Sequence, residues 1–233
     1  MSDLDDLLED IFAGERPALY ADFESWVRGS RRFMAFAGSY RVKIRAKLKN
    51  VRDEGGMQDL RAELETAVLL LRDERFTLEY EKHAASKQRA PDFTVTFKTH
   101  TAFNVEVRHV RSLDSDKRDS AARTGKLITV ICDKLGQMPP SIVNLLWLTG
   151  DQGMPEADLT SALLTLRRQA EGKADDFFAR RGFDSAAGFL QQYRHLSGIV
   201  LRDAGQHTLW LNPLARHPAP PDIVAAIQRL QTL

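Results

Sequence analysis

Two acidic residues occupy positions where a core hairpin normally carries apolar side chains. Asp92 follows Pro91 and precedes the alternating segment FTVTFK, and Glu106 lies within the alternating segment FNVEVRHV. Successive side chains of a strand point to opposite faces, so the apolar residues of both segments face one side and the acids the other. If the segments pair through a turn at 99–102, the two carboxylates approach one another. Such a pair must share a proton or hold a cation.

This pair of carboxylates suits a hard divalent cation. Mg²⁺ prefers one or two carboxylates together with water and phosphate oxygens, and a bound ion activates water and neutralises charge on a phosphodiester. We therefore expect Asp92 and Glu106 to bind Mg²⁺ or Mn²⁺ for metal-assisted hydrolysis. Two structural alternatives stay open: Asp92 as a cap of the turn after proline, and Glu106 as a surface residue paired with Lys98 across the hairpin.

Other chemistries have little support in the sequence. The six histidines show no metal-ligand spacing, and no grouping of serine, cysteine and histidine indicates a covalent nucleophile. No glycine-rich loop carries the Lys-Ser/Thr pair that cradles phosphates. The single cysteine, Cys132, cannot form an internal disulfide, and neither a signal peptide nor a membrane span is evident, so we expect a cytoplasmic protein.

The elements that must position the acids follow from periodicity. Apolar residues predict helices at 3–13, 17–28, 40–53 and 58–72, and the residues DEGG at 53–56 predict a break between the last two. Alternation predicts strands at 76–82, 93–98 and 103–110, and the run SIVNLLWLTG predicts a central strand at 141–150. Further helices are expected at 117–135, 155–170, 173–181, 184–194 and 221–232, with a hairpin of two strands before the last. This order predicts an α/β fold: a mixed central sheet flanked by helices.

Charge is segregated in the first 52 residues although the whole chain has a net charge of only +1. The first two dozen residues are strongly acidic, and residues 25–52 carry nine basic side chains and no acid. This pattern predicts either a surface for a polyanion or an acidic helix packed on a basic one. We divide the chain into an N-terminal helical extension at 1–56 and an α/β domain at 57–233.

The PD at 91–92, followed by EVR at 106–108 within this order of elements, resembles the PD-(D/E)XK nuclease superfamily, which has the restriction-endonuclease-like fold. The resemblance covers roughly residues 58–150. It implies that Asp92 and Glu106 bind Mg²⁺ and that a glutamate of the preceding helix, Glu63 or Glu65, assists. Helical phase favours Glu63, because Glu65 lies farther from the buried face of the helix and follows Arg61 by four residues.

The chain departs from the superfamily pattern at one position, where Arg108 replaces the expected lysine. Arginine can hold a phosphate but cannot act as a base, because it does not lose its proton. We expect Arg108 to steady the phosphate. Lys98 lies on the same strand face as Asp92 but on the order of 20 Å away, which is too far to replace the lysine.

The sequence thus predicts a metal-dependent nuclease acting on nucleic acid, most simply DNA. The basic residues Arg118, Arg123 and Lys126, which the periodicity places on the exposed face of their helix together with Lys134, are candidate phosphate contacts. The main alternative is a catalytically inactive module of the same fold that binds nucleic acid or a protein partner. A protein-interaction domain whose basic helix is covered by the acidic N-terminus is a third possibility, and a homodimer is left open.

Overall fold

A mixed sheet of six strands forms the centre of the protein. The computed structural model describes residues 3–81, 91–111, 119–150, 155–203 and 206–230. Within them the strands occur in the sheet in the same order as in the chain. The strands are β1 (Phe76–Tyr80), β2 (Phe93–Phe97), β3 (Thr101–Val110), β4 (Asn144–Gly150), β5 (Gly198–Asp203) and β6 (Gln206–Leu211).

The pairing of the strands makes the sheet mixed. β1, β2 and β3 form an antiparallel meander, β3, β4 and β5 are parallel, and β6 returns antiparallel to β5. β4 lies inside the sheet, and its residues 144–149 are buried. The apolar run that predicted a central strand therefore does form one, and the α/β fold with a mixed central sheet is confirmed.

Helices cover both faces of the sheet. One face carries α1 to α5 and α10, whose apolar residues share a core with Phe93, Val105 and Trp147. The other carries α6 to α9, which pack on Leu146, Leu148 and Ile199. The helices are α1 (Asp3–Phe12), α2 (Tyr20–Gly29), α3 (Arg31–Ser39), α4 (Arg41–Asn50), α5 (Glu54–Leu70), α6 (Ser120–Leu135), α7 (Glu156–Glu171), α8 (Asp175–Ala179), α9 (Ala186–Tyr193) and α10 (Pro221–Gln228).

The N-terminal helices are part of the core of the sheet domain. Phe23 and Phe33 are fully buried, and Phe36 lies 5.8 Å from the ring of Tyr80 and 6.3 Å from that of Phe93. The expected division between residues 56 and 57 falls in the first turn of α5. The helical extension and the sheet therefore form one continuous apolar core.

The acidic first helix packs on the basic fourth one. Arg41 forms an ion pair with Asp10 at 3.3 Å, and Arg45 donates to the backbone carbonyl of Asp10 at 3.0 Å. Arg61 of α5 likewise pairs with Asp22 of α2 at 2.9 Å. The contacts of α1 with α4 agree with the second of the two readings of the charge pattern, an acidic helix packed on a basic one.

Two local details differ from the expectations. Residues 31–39 form α3, which the periodicity did not indicate; the Ser30 side chain caps it by accepting from the Phe33 amide at 3.1 Å. The expected break between α4 and α5 exists but falls at residues 51–53. The last three residues of DEGG begin α5, because Asp53 caps the Gly56 amide at 2.7 Å and offsets the low helix propensity of the two glycines. No helix in the described part of the chain is both long and apolar enough to cross a bilayer.

Candidate active site

Asp92 and Glu106 lie opposite one another where β2 begins. The register pairs Phe93 with Val105, so the preceding residue, Asp92, comes directly across from Glu106. Asp92 Oδ2 accepts from the Val107 amide at 2.8 Å, and the Glu106 carboxylate accepts from the backbone N–H of Asp92. Each acid is therefore fixed by the backbone of the other strand, and Asp92 does not cap a local turn through this oxygen.

The alternative pairing of Glu106 with Lys98 does not occur. Lys98 lies beyond the other end of β2 and forms an ion pair with Asp222 at 3.4 Å. Glu106 itself is only 3% exposed and is held by Lys134 of α6. The acid in β3 is thus buried against a helix and does not belong to an exposed strand surface.

A third carboxylate, that of Glu63, interacts electrostatically with both acids. Its Oε2 accepts from Lys47 Nζ and from the Tyr80 hydroxyl, both at 2.5 Å. The negative charge of Asp92 acts on Glu63, and that of Glu63 acts on Glu106, so the three acids share one electrostatic environment. Glu65, the other candidate on α5, instead forms an ion pair with Arg202 at 3.0 Å.

The three carboxyl groups have raised pKa values. Burial is the main cause for each, because it removes water from the charged form. Together with the neighbouring carboxylates it raises the pKa of Glu63 to about 7 and that of Asp92 to about 7, and it also raises the pKa of Glu106. Lys47 and Lys134 oppose the shift. The cluster thus holds more negative charge than its surroundings readily accommodate.

Two lysines from opposite faces of the sheet contact this acid cluster, which we define as Glu63, Asp92 and Glu106. Burial lowers the pKa of Lys47, but Glu63, Asp92 and hydrogen bonds to Glu63 and Glu81 outweigh burial and raise it overall. Lys134 Nζ donates to Glu106 Oε1. The expectation that Lys134 faces outward is therefore wrong: its side chain is 16% exposed because it turns toward the buried carboxylate.

An amide also contacts the acid cluster. With its amide nitrogen turned toward Glu106, Gln137 donates to Oε1 at 2.6 Å. Sequence reasoning missed Gln137 and the site roles of Lys47 and Lys134. For Lys134 and Gln137 the only signal in the sequence is their spacing: they lie three residues apart, at the end of α6 and the start of the following turn.

Arg108 follows Glu106 by two residues but is directed toward α5. Its Nη1 donates to Asp59 Oδ2 at 2.7 Å, and Arg111 approaches the same carboxylate oxygen at 3.4 Å. The guanidinium is 38% exposed and stands at the wall of a cavity described below. Arg108 is therefore beside the acid cluster, with Asp59 as its ion-pair partner.

The candidate phosphate contacts on α6 are only partly described. Arg118 lies outside the described residues. Arg123 donates through Nε to the buried carboxylate of Asp158, which also accepts from the Ser120 hydroxyl at 2.5 Å. Lys126 is half-buried. Arg123 thus has a structural role in joining α6 to α7, which leaves its guanidinium at 17% exposure.

A cavity of about 760 Å³ opens next to the acid cluster. Lys134 and Gln137 line it from α6 and the following turn, so the residues that contact Glu106 also form part of the cavity wall. Among the residues that the structure describes, four basic side chains line the cavity, those of Arg108, Lys134, Arg180 and Arg181, and Asp133 is the one acid.

The donor chemistry of the acid cluster fits a hard divalent cation. Asp92 and Glu106 present carboxylate oxygens at adjacent positions of two paired strands, and a cation would relieve the repulsion that raises their pKa values. Two carboxylates completed by water are a common arrangement for Mg²⁺. Within the described ranges, no group of three or more acidic, histidine or cysteine side chains is arranged to hold a metal ion.

The chain was also compared with known proteins. No protein-family model, curated protein or solved structure matches it.

Proposed function

We propose that the protein is a metal-dependent phosphodiesterase of restriction-endonuclease-like fold that acts on nucleic acid. The observation that carries this proposal is the cross-strand pair of Asp92 and Glu106, with Glu63 adding a third carboxylate to the same buried cluster. The order of α5, the β1–β2–β3 meander, α6 and the parallel strand β4 agrees with the order of elements on which the resemblance rests.

The acid cluster has the groups that hydrolysis of a phosphodiester needs. Asp92 and Glu106 would hold Mg²⁺ or Mn²⁺, which when bound lowers the pKa of water and neutralises charge on the phosphate. The backbone contacts of both acids fix their carboxylates before any substrate arrives. Glu63, with a pKa of about 7, is suited to take up a proton at neutral pH.

Lys134 is the best candidate for the positive charge at the phosphate. It contacts Glu106 and also lines the cavity, so its ammonium lies between the acid cluster and the space that a substrate would enter. Arg108 shares the cavity wall but is bound to Asp59. We propose that Lys134 takes the place of the lysine that the superfamily has at position 108, and that Arg108 assists in holding phosphate.

A supercoiled plasmid and a single-stranded circular DNA, each incubated with Mg²⁺ or Mn²⁺, test this function. We expect nicking by the unmodified chain and a loss of at least about 100-fold in Glu106→Gln, because the substituted amide is a poor cation ligand. Glu79→Gln is the matched control, since Glu79 is an exposed acid on β1. Absence of cutting with either ion, or equal cutting by Glu106→Gln, would reject the enzyme.

The same assay separates the two basic residues. Lys134→Met should lower the rate of nicking by about 10²-fold or more, as expected for loss of a charge that stabilises the transition state, whereas Arg108→Met should lower it by about 10-fold or less. If Arg108→Met lowers the rate of nicking more than Lys134→Met does, Arg108 supplies the principal positive charge at the phosphate.

A non-catalytic module that binds nucleic acid is the second candidate. It is favoured by the ion pairs that occupy the acids, because Lys47 and Lys134 already neutralise two of the three carboxylates. Binding of DNA that weakens with salt and is indifferent to Mg²⁺, in a protein that cuts nothing, would support this module over the enzyme.

A further inference from the structure

The cavity beside the acid cluster has a basic wall that the proposed chemistry does not by itself require. α6 supplies one side through Lys134, and the segment from α8 to α9 supplies the other through Arg180 and Arg181. Gly182, with φ of +81°, reverses the chain directly after these two arginines, a conformation that glycine adopts without strain. The local backbone thus holds two adjacent cations at the cavity.

Arg180 and Arg181 differ from the arginines of the protein that form ion pairs with acids. Arg181 lies over the ring of Phe177 at 3.7 Å and donates Nη1 to the Phe177 carbonyl at 2.7 Å, which fixes its guanidinium. Arg180 is exposed and donates Nε to the Asp176 carbonyl at 3.2 Å. Among the residues that the structure describes, neither forms an ion pair with a carboxylate, and Arg181 Nε is buried without a hydrogen-bond partner. Their positive charge is available to an anion in the cavity.

The size of the cavity indicates whether a single strand or a duplex of nucleic acid can bind in it. A volume of about 760 Å³ corresponds to a space about 9 Å across if it is roughly as deep as it is wide. A B-DNA duplex, whose major groove alone is about 12 Å wide, is too wide to be enclosed in such a space, whereas a single strand is not. Basic grooves of this kind bind single strands through their phosphates.

We propose that the cavity between α6 and the α8–α9 segment binds a single strand of nucleic acid, with Arg180 and Arg181 contacting successive phosphates and Lys134 directing the strand toward Glu106. This proposal rests on the proposed function, since it names the substrate of the same site. The contacts are made to the backbone, so they carry affinity and orientation but no base sequence.

The test measures binding apart from cleavage. A fluorescently labelled 12-nucleotide single strand is titrated with the full chain in EDTA, by anisotropy, at several salt concentrations. Arg180→Gln/Arg181→Gln should bind at least about 10-fold more weakly, and the slope of log affinity against log salt should fall by about 1.4, or about 0.7 for each lost contact with a single strand. The single variant Arg180→Gln should lower the slope by about 0.7.

Arg28→Gln/Arg167→Gln is the matched control, because both residues are exposed, paired with an acid four positions away, and absent from the cavity lining. It removes the same charge and should change affinity less than twofold. Thermal unfolding of each variant establishes that it is folded. Because Arg180 is exposed, Arg180→Gln provides a test even if replacement of Arg181 destabilises the fold.

The outcomes distinguish this proposal from the proposed function. Equal weakening by the control, an unchanged slope in the cavity variants, or tighter binding of the matching 12-base-pair duplex would overturn the single-strand cavity even if the protein nicks plasmid. Conversely, weakened single-strand binding by the cavity variants in a protein that cuts nothing would support the cavity and reject the enzyme.

Discussion

At the scale of residues, the acid cluster consists of groups that the sequence reveals and groups that it does not. Asp92 and Glu106 follow from local periodicity, because they interrupt an apolar alternation; Glu63 or Glu65 is implied by the resemblance, and helical phase favours Glu63. Lys47 and Lys134 do not follow from periodicity, because a lysine beside an apolar stripe looks the same whether it faces water or a distant carboxylate. Their partners lie 16 and 28 positions away in the chain, and only the tertiary fold selects them.

The raised pKa of Asp92 leads to a prediction about stability. A folded-state pKa of about 7 against about 3.9 in the unfolded chain means that the folded state holds the proton more tightly, so this contribution to stability is complete below about pH 4 and is lost as pH rises through 7. Asp92→Asn resembles the protonated acid and still accepts from the Val107 amide. We therefore expect it to raise the free energy of unfolding by about 1–3 kcal/mol at pH 8 and by little at pH 5.

Urea unfolding at the two pH values provides the measurement. Glu79→Gln, which replaces an exposed acid on β1, should change stability by less than about 0.5 kcal/mol at either pH. A loss of stability in Asp92→Asn at pH 8 would mean that the charge of Asp92 supports the fold and is not a cost imposed by the site.

At the scale of elements, the strands and longer helices follow from the sequence, and the exceptions have local causes. The meander and β4 match their alternation and apolar content closely. The sequence did not predict α3 because nine residues are too few to show a clear periodicity, although five of them are good helix formers; burial of Phe33 and Phe36 stabilises this short helix. The sequence did not predict the start of α5 correctly because the capping side chain of Asp53 outweighs the low helix propensity of the two glycines.

The shared core of α1–α4 and the sheet predicts how these elements unfold. Phe23 of α2 is fully buried and packs 5.4 Å from Phe12 and 5.6 Å from Phe33. Phe23→Ala should destabilise the protein by about 3–5 kcal/mol, because the cavity left by the ring lies in a core common to helices and sheet. Hydrogen exchange read by mass spectrometry should show faster exchange in β3 and β4 as well as in α2.

The exposed residue Val42, which is 77% accessible on the neighbouring helix α4, supplies the control. Val42→Ala should leave exchange in β3 and β4 unchanged. If Phe23→Ala accelerates exchange only in α1 to α4, the helical extension is an independent unit, as the expected division near residue 56 predicts.

At the scale of the whole molecule, helices of both layers contact the acid cluster at the start of β2, which lies between β1 and β3 in the sheet. Lys47 reaches it from the layer that contains the N-terminal helices, and Lys134 from the opposite layer. The resemblance that suggested the site covers residues 58–150 and therefore omits Lys47. The charge segregation of the first 52 residues, for which the sequence left two readings open, is partly matched within the fold: Asp10 pairs with Arg41, and Lys47 contacts the acid cluster.

Binding of a divalent cation should stabilise the entire fold. A ligand present at 100 times its dissociation constant stabilises the folded state by about 2.7 kcal/mol, which for a domain of this size raises Tm by about 5–10 °C. We expect this shift with Mn²⁺ at pH 8 and a much smaller one at pH 5, where protons occupy the acids. Differential scanning fluorimetry at matched ionic strength measures it.

Asp92→Asn should abolish the Mn²⁺ shift, while Glu65→Gln, on the same helix as Glu63 but paired with Arg202, should retain it. An equal shift in Asp92→Asn would place the ion elsewhere. The comparison reports on cation binding whether or not the protein cuts nucleic acid.

The chain contains one thiol, and the fold buries it. Cys132 lines the cavity but is only 3% exposed, and burial raises its pKa to about 12, so little of the reactive thiolate exists at neutral pH. A cysteine introduced on the surface would consequently be the preferred point of attachment for a maleimide dye or spin label. Distances across the cavity could therefore be measured between labels on introduced cysteines without first replacing Cys132.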